Sequence, residues 1–331
     1  MKNKFTGLTL SALFTAVLGA NAANAAKPEI PLPEFTMFTS LGVLNVEDKD
    51  YDPEAFEAEF GLKGLVKLDE FKMLYVLNVD VSDAINSEDT GGSAGESDIH
   101  VKDAKVIFPT QYGTFVLAPR GASGQLRDLY SNINIFEYNE THSGKVTPTG
   151  MAGIFGQADE GQDILAYVTP AFYNIKFTAS ALSVREANDN EIDVKSFRLI
   201  YDDGALHLGA GLVIADEAMA GADDDYKRAA FSAGYRFSNL DLGATYEINT
   251  DTFGPAGDYD SYGLTGRYHF SNGYSAALGY FNKDSDVDAN DNDGVVVQVK
   301  KTFNANVAAW AEAGSYDITP DNFAVGVNIK F

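Results

Sequence analysis

The stretch Phe231-Ser232-Ala233-Gly234-Tyr235-Arg236-Phe237-Ser238-Asn239-Leu240-Asp241-Leu242-Gly243-Ala244-Thr245-Tyr246-Glu247 decides the fold. Apolar and polar residues alternate on both sides of Ser238-Asn239, the period-two signature of two strands joined by a tight turn. One face reads Phe231, Ala233, Tyr235, Phe237, then Leu240, Leu242, Ala244, Tyr246. The other holds Ser232, Gly234 and Arg236, then Asp241, Gly243, Thr245 and Glu247. A soluble sandwich also alternates, but its dry core would have to take one of these faces. Burying the arginines unpaired would cost roughly several kcal/mol each. The apolar face ends in Tyr or Phe, here and at Tyr201, Phe270, Tyr280 and Phe303. Aromatic residues at strand ends suit a membrane interface, and a polar interior inside an apolar exterior is the inversion of a transmembrane β-barrel.

Outward from this hairpin the same pattern recurs. Leu206, Leu208, Ala210, Leu212 and Ile214 share a face, as do Tyr173, Ile175, Phe177, Ala179 and Ala181, and at the end of the chain Phe323, Val325, Val327, Ile329 and Phe331. About sixteen such segments are expected, starting near Phe35, Glu54, Phe71, Ile99, Gly113, Asp163, Tyr173, Ile192, Ala205, Tyr226, Leu240, Tyr259, Tyr274, Gly294, Asn306 and Asn322. An even number closes an antiparallel sheet without a free edge. Short joins such as Asp202-Asp203-Gly204 and Ser271-Asn272-Gly273 alternate with long acidic ones, for example 216–225, 250–260 and 282–294. Tight turns at one end and long loops at the other are the barrel pattern. The longest join, about 121–162, carries Leu129, Tyr130, Ile133, Ile135, Phe136 and Phe155. That is too apolar for a free loop, and its expected course is inward, narrowing the lumen.

Composition bounds the function. The 331 residues hold 24 Lys+Arg, 48 Asp+Glu and no Cys. The net charge of −24 argues against nucleic acid, since phosphate binding needs basic neutralisation, and without Cys there is no disulfide framework or thiolate chemistry. Lys2 and Lys4, the apolar run Phe5 to Leu18 and the small residues Ala20 to Ala26 form a signal peptide, residues 1–25, cut after Ala25 or after Ala22. The mature barrel, 26–331, then carries 22 basic and 48 acidic residues, a charge of −26. Fixed negative charge predicts a preference for cations, softened where it lies in outer loops by a Debye length of about 8 Å. Asp284 to Gly294 is rich in acids but lacks EF-hand spacing; weak divalent binding and a plain solvated loop are both open. His100, His142, His207 and His269 have no metal-ligand spacing, no catalytic constellation stands out, and neither a cofactor nor an enzyme activity is expected.

Several motifs in order resemble the general porins of the Gram-negative outer membrane. They are Phe60-Gly61-Leu62-Lys63-Gly64, Tyr112 to Arg120, Asp128-Leu129-Tyr130, Ala166 to Phe172, and the terminal Val327, Ile329 and Phe331. The resemblance implies a sixteen-stranded homotrimer, one aqueous channel per subunit, in outer-membrane lipid and lipopolysaccharide, with Phe331 recognised by the barrel-assembly machinery. It implies a constriction in which loop acids oppose wall bases. Arg120 and Lys63 are the matched bases and Glu137 and Glu140 the candidate acids. Arg198 and Arg228, on the face opposite the apolar stripes with Lys105, Arg236 and Arg267, are further wall candidates. The motif departs from the family at Pro119 and Gly121, and 139–151 lacks the usual loop tip. The implied function is passive diffusion of small hydrophilic solutes and ions; a substrate-selective channel on a similar barrel is the alternative. Trp310 is the one aromatic that could line such a path, and the pattern leaves its facing open.

Overall fold

The computed structural model describes residues 31–68, 71–86, 99–121, 127–141, 151, 153–157, 161–183, 192–217, 224–252 and 257–331. The expected signal peptide, 1–25, residues 142–150 of the longest join, His142 among them, and much of the long joins near 87–98, 184–191 and 218–223 lie outside the described residues. Sixteen strands follow in order: β1 Glu34–Val46, β2 Asp52–Leu68, β3 Phe71–Asp80, β4 His100–Thr110, β5 Gly113–Gly121, β6 Gly161–Val168, β7 Ile175–Leu182 and β8 Val194–Asp202. The second half comprises β9 Leu206–Ala215, β10 Tyr226–Phe237, β11 Leu240–Thr250, β12 Tyr259–His269, β13 Tyr274–Ser285, β14 Asn292–Thr302, β15 Val307–Tyr316 and β16 Asn322–Lys330. Each begins within two residues of its predicted start. One short helix, α1, Ser82–Asn86, follows β3.

Every strand pairs antiparallel with its chain neighbours, and β1 with β16 closes the barrel. The seam runs from Phe38↔Lys330 to Val46↔Asn322 and is extended by reciprocal backbone bonds between Met37 and Phe331 of 3.1 and 2.9 Å. Closure satisfies the backbone polar groups that a bilayer could not. The tight turns use the chemistry their geometry demands. Ser238 and Asn272 adopt positive φ (54° and 65°), a region short polar side chains tolerate. Gly273 also has positive φ, and a Cβ there would lie 2.5 Å from the Thr302 carbonyl oxygen.

Burial is inverted relative to a soluble protein. Phe231, Leu242, Leu264, Leu278 and Val299 are exposed on the outer face, while Ser261, Thr245, Glu247 and Glu312 are buried within. Full exposure of one such side chain to water would cost about 1.5–3 kcal/mol, so the belt is stable only in lipid. Three register irregularities, at Ser40/Leu41 on the β1–β2 pair, Asn78/Val79 on the β3–β4 pair and Ala104/Val106 on the β4–β5 pair, shift the pairing locally.

Candidate functional site: the lumen

The inner faces of β10–β16 grip the segment between β5 and β6. Its first part, 127–141, starts with a 3-10 turn at Arg127–Leu129. Thr245 Oγ1 donates to the Leu129 carbonyl (2.7 Å) and Thr265 Oγ1 to that of Asn132 (2.7 Å). Arg267 donates to the Ile135 carbonyl. Glu312 accepts from the backbone N–H groups of Glu137 (2.9 Å), Tyr138 (3.3 Å) and Asn139 (2.7 Å), and from the Asn139 side chain (2.8 Å). Further on, Ser261 Oγ donates to the Ile154 carbonyl (2.5 Å) and Gly156 N–H to Glu247 (2.7 Å). These wall residues all lie on the polar face of their strands, so the segment runs inside the barrel along the wall.

Apolar packing reinforces the bonding. Leu129, Tyr130, Ile133, Phe136, Ile154 and Phe155 form a core with inward side chains such as Val213, Phe281 and Val296. Tyr138 joins a second cluster with Leu44, Phe56, Trp310 and Ala324. Trp310 therefore faces inward with Glu312; its Nε1 donates to Asn328 (2.8 Å) and its ring lies 5.1 Å from that of Phe56. Glycine makes the close approach possible: a Cβ at Gly243 would sit 2.1 Å from the Asn132 carbonyl oxygen, and one at Gly234 2.3 Å from the Asn132 side chain.

The sequence-predicted site residues fall in three settings. Glu137 and Arg198 tie the segment to the wall. Glu137 is ion-paired with Lys300 and accepts from Asn328 Nδ2 (2.6 Å), and Arg198 Nη1 lies 3.0 Å from Asp128 Oδ2. Arg228 is 2% exposed on the β10 inner face, in electrostatic reach of Tyr130 and Glu247. Lys63 pairs with Glu34 (3.0 Å) at the short-turn end of β2, both well exposed. Arg120 stands on β5 opposite Gln162, and Glu140 is half-buried in the segment. The structure thus brings Glu137, Arg198 and Arg228 to the covered wall and leaves Lys63 at the mouth.

Sequence reading missed Lys102, Lys300, Glu247 and Glu312 as site members. On the β2–β4 wall Lys102 Nζ lies 2.9 Å from Glu57, 2.5 Å from Glu59 and 3.8 Å from Asp80. Asn78 Nδ2 donates to Glu59 (2.5 Å), and Lys105 pairs with Asp103 (3.0 Å). The acidic stretch 284–294 is divided between the end of β13, a 3-10 turn at Asp288–Asn290 and the start of β14.

A closed barrel with an apolar exterior, a charged interior and an internal segment points to a membrane channel. The sequence profile of Gram-negative porins matches residues 9–322; the chain belongs to that family, in the outer membrane of a Gram-negative bacterium. Among solved structures it is similar to an anion-selective porin from Comamonas acidovorans (TM-score 0.70, 15% identity, 92% of this chain and 100% of that one). OmpF of Salmonella typhi, in complex with daunomycin, matches with the same figures. OmpT of Vibrio cholerae in its trimer form gives a TM-score of 0.62 at 16% identity, over 92% of this chain and 100% of that one. No protein of curated function matches by sequence. At these identities the likeness is one of fold; with the family it makes the chain an outer-membrane diffusion channel.

Proposed function

We propose that the channel passes small hydrophilic solutes and ions by passive diffusion with a preference for cations. The observation that carries the preference is the cluster on the β2–β4 wall, where the carboxylates of Glu57, Glu59, Asp80 and Asp103 surround Lys102 and Lys105. Fixed charge of one sign in a low-dielectric pore raises the local concentration of counter-ions. The internal segment is the constriction. Its acids Glu137 and Glu140, with Arg120, Lys63, Arg198 and Arg228, set the field, Glu137, Arg198 and Arg228 chiefly by holding the segment in place.

The assembly is a homotrimer. The trimeric form of the Vibrio cholerae OmpT structure supports this, as does the small outward face of β15 (Ala309, Ala311, Ala313), which suits close protein packing. Outer-membrane lipid and lipopolysaccharide surround it, and Phe331 is the residue read by the barrel-assembly machinery.

Single-channel recording in a planar bilayer, with the reversal potential across a KCl gradient, tests both parts. The expected result is stable ohmic steps that close in thirds and a cation-selective potential. Anion selectivity would keep the channel and sink the preference; folded, heat-modifiable protein without conductance would sink the channel itself.

A further inference from the structure

On the short-turn side of the Lys102 cluster, the inner face of β2–β5 turns apolar. Which residues face inward follows from the pairing. Ser40 points into the barrel, where its Oγ donates to Asn328 (2.8 Å), the acceptor of Trp310. Ser40 pairs with Glu57, and alternation along β2 then puts Glu59, Lys63, Leu65 and Lys67 on the same inner face.

Register carries this face across the neighbouring strands. Leu65 pairs with Leu74, Leu74 with Ile107 and Ile107 with Val116. The result is one row of aliphatic side chains across four strands, about 14 Å wide. It ends on β6 and β7, where the next partners are Ala166 and Ser180. Leu74 is 37% exposed, and among the described residues none of the four joins the apolar clusters that the internal segment forms with the wall. Lipid would explain such a row on the outer face, but this one faces the lumen. A contiguous apolar patch left open to water marks a place where something apolar binds.

The charges beside the row give its occupant a sign. One level toward the long loops, Val76 pairs with Lys63 on one side and Lys105 on the other. Each of these lysines already holds a carboxylate, Glu34 and Asp103 respectively. One level toward the short turns, Lys67 and Lys72 pair with each other, both exposed. Like charges directly opposed on one face repel, and an anion seated between them removes the repulsion. A carboxylate held there would lay its apolar body over Leu65 and Leu74, two residues or about 7 Å along the strands.

We propose that this row and the lysine pair below it bind a small amphipathic monocarboxylate, an arylalkanoate, and that the site gives the channel a solute preference beyond size and charge. The assignment rests on the channel reading only for how the solute arrives. It lies apart from the carboxylates around Lys102, so solute binding and ion preference are separable in experiment.

4-Phenylbutyrate is the probe. Isothermal titration into the folded, detergent-solubilised full chain, corrected for the heat of mixing with empty micelles, should show binding. Acetate has the head without the body, and 4-phenylbutylammonium the body with the opposite charge; each should bind about tenfold more weakly or less. Lys72→Gln removes one ammonium and Leu74→Ser interrupts the row, and each should weaken phenylbutyrate about tenfold. If one variant fails to fold, the other carries the test. In bilayers, phenylbutyrate should interrupt the single-channel current, with events shortened in both variants. A conducting protein that binds phenylbutyrate no better than acetate, or equally in the wild type and both variants, overturns the site and leaves the channel intact. Phenylbutylammonium bound as tightly as phenylbutyrate overturns it too, since the lysines would then set no sign. Binding that depends on Lys72 and Leu74 in a protein without conductance upholds the site and overturns the channel.

Discussion

Two walls of the same lumen solve the problem of buried polarity differently. On β10–β16 the inward groups bond to backbone: hydroxyls of Thr245, Ser261 and Thr265 reach segment carbonyls, and Glu312 collects segment N–H groups. Uncharged or singly charged residues suffice there because the segment brings its own donors and acceptors. On β2–β4 the charges pair with one another: Lys102 sits among three carboxylates and Lys105 beside Asp103. The first wall holds the segment; the second is the one proposed to sort ions.

The largest break in that division should come from Glu312→Ala. Three backbone N–H groups would lose their acceptor, together with the side chains of Asn139 and Gln298. Each buried group left unsatisfied costs about 1–3 kcal/mol, enough in sum to detach that end of the segment. Single-channel conductance and open-channel noise should both rise, and Glu312→Gln, which keeps one acceptor oxygen, should fall between. Conductance identical to wild type in the alanine variant would mean that the bond network does not hold the segment. The second wall should respond in another way. Glu57→Gln with Glu59→Gln should shift the reversal potential toward chloride while changing conductance by less than about twofold, since partly exposed charges act through a screened field. An unmoved potential would return the selectivity to the outer loops.

These two walls were not equally legible in the sequence. The barrel itself was, because lipid on one side and water on the other force strict period-two alternation, and every strand start follows from it. The first wall was legible only as a polar face. Nothing local distinguishes Glu312 from any other inward acid, and its partners Glu137–Asn139 are more than 170 residues away. One signal was present: Glu312 and Trp310 are the only bulky side chains between Val307 and Gly314, a strand otherwise of Ala, Val and Gly, and both turn out to face the segment. The second wall was hidden by the bulge at Asn78/Val79. An extra residue there breaks the alternation on which Lys102 would have been assigned to a face. Lys63, by contrast, was assigned a face from its motif, but its depth in the pore depends on strand register and tilt, which a motif does not carry.

The smallest expected effect belongs to neither wall and sets the baseline for both. Asp203 closes the tight turn between β8 and β9, accepting from the N–H groups of Leu206 (2.8 Å) and Ala205 (3.0 Å) and from the Tyr201 hydroxyl (3.0 Å). The two backbone N–H groups hold its carboxyl below the usual aspartate range. A depressed carboxyl stabilises the fold above its unfolded pKa, near 3.9, and the contribution disappears as pH falls through the lower folded value. Asp203→Asn keeps an acceptor oxygen and removes the charge. Its heat-modification midpoint in detergent should therefore lie slightly below wild type at pH 6, with the gap closing at pH 3. Other carboxylates titrate in both proteins, so the difference between the two curves isolates this one. A gap independent of pH would assign the turn's stability to its hydrogen-bond geometry alone. In either case Asp203→Asn should leave the conductance and reversal potential of the channel where they were, because the field proposed to sort ions lies farther in, on β2–β4.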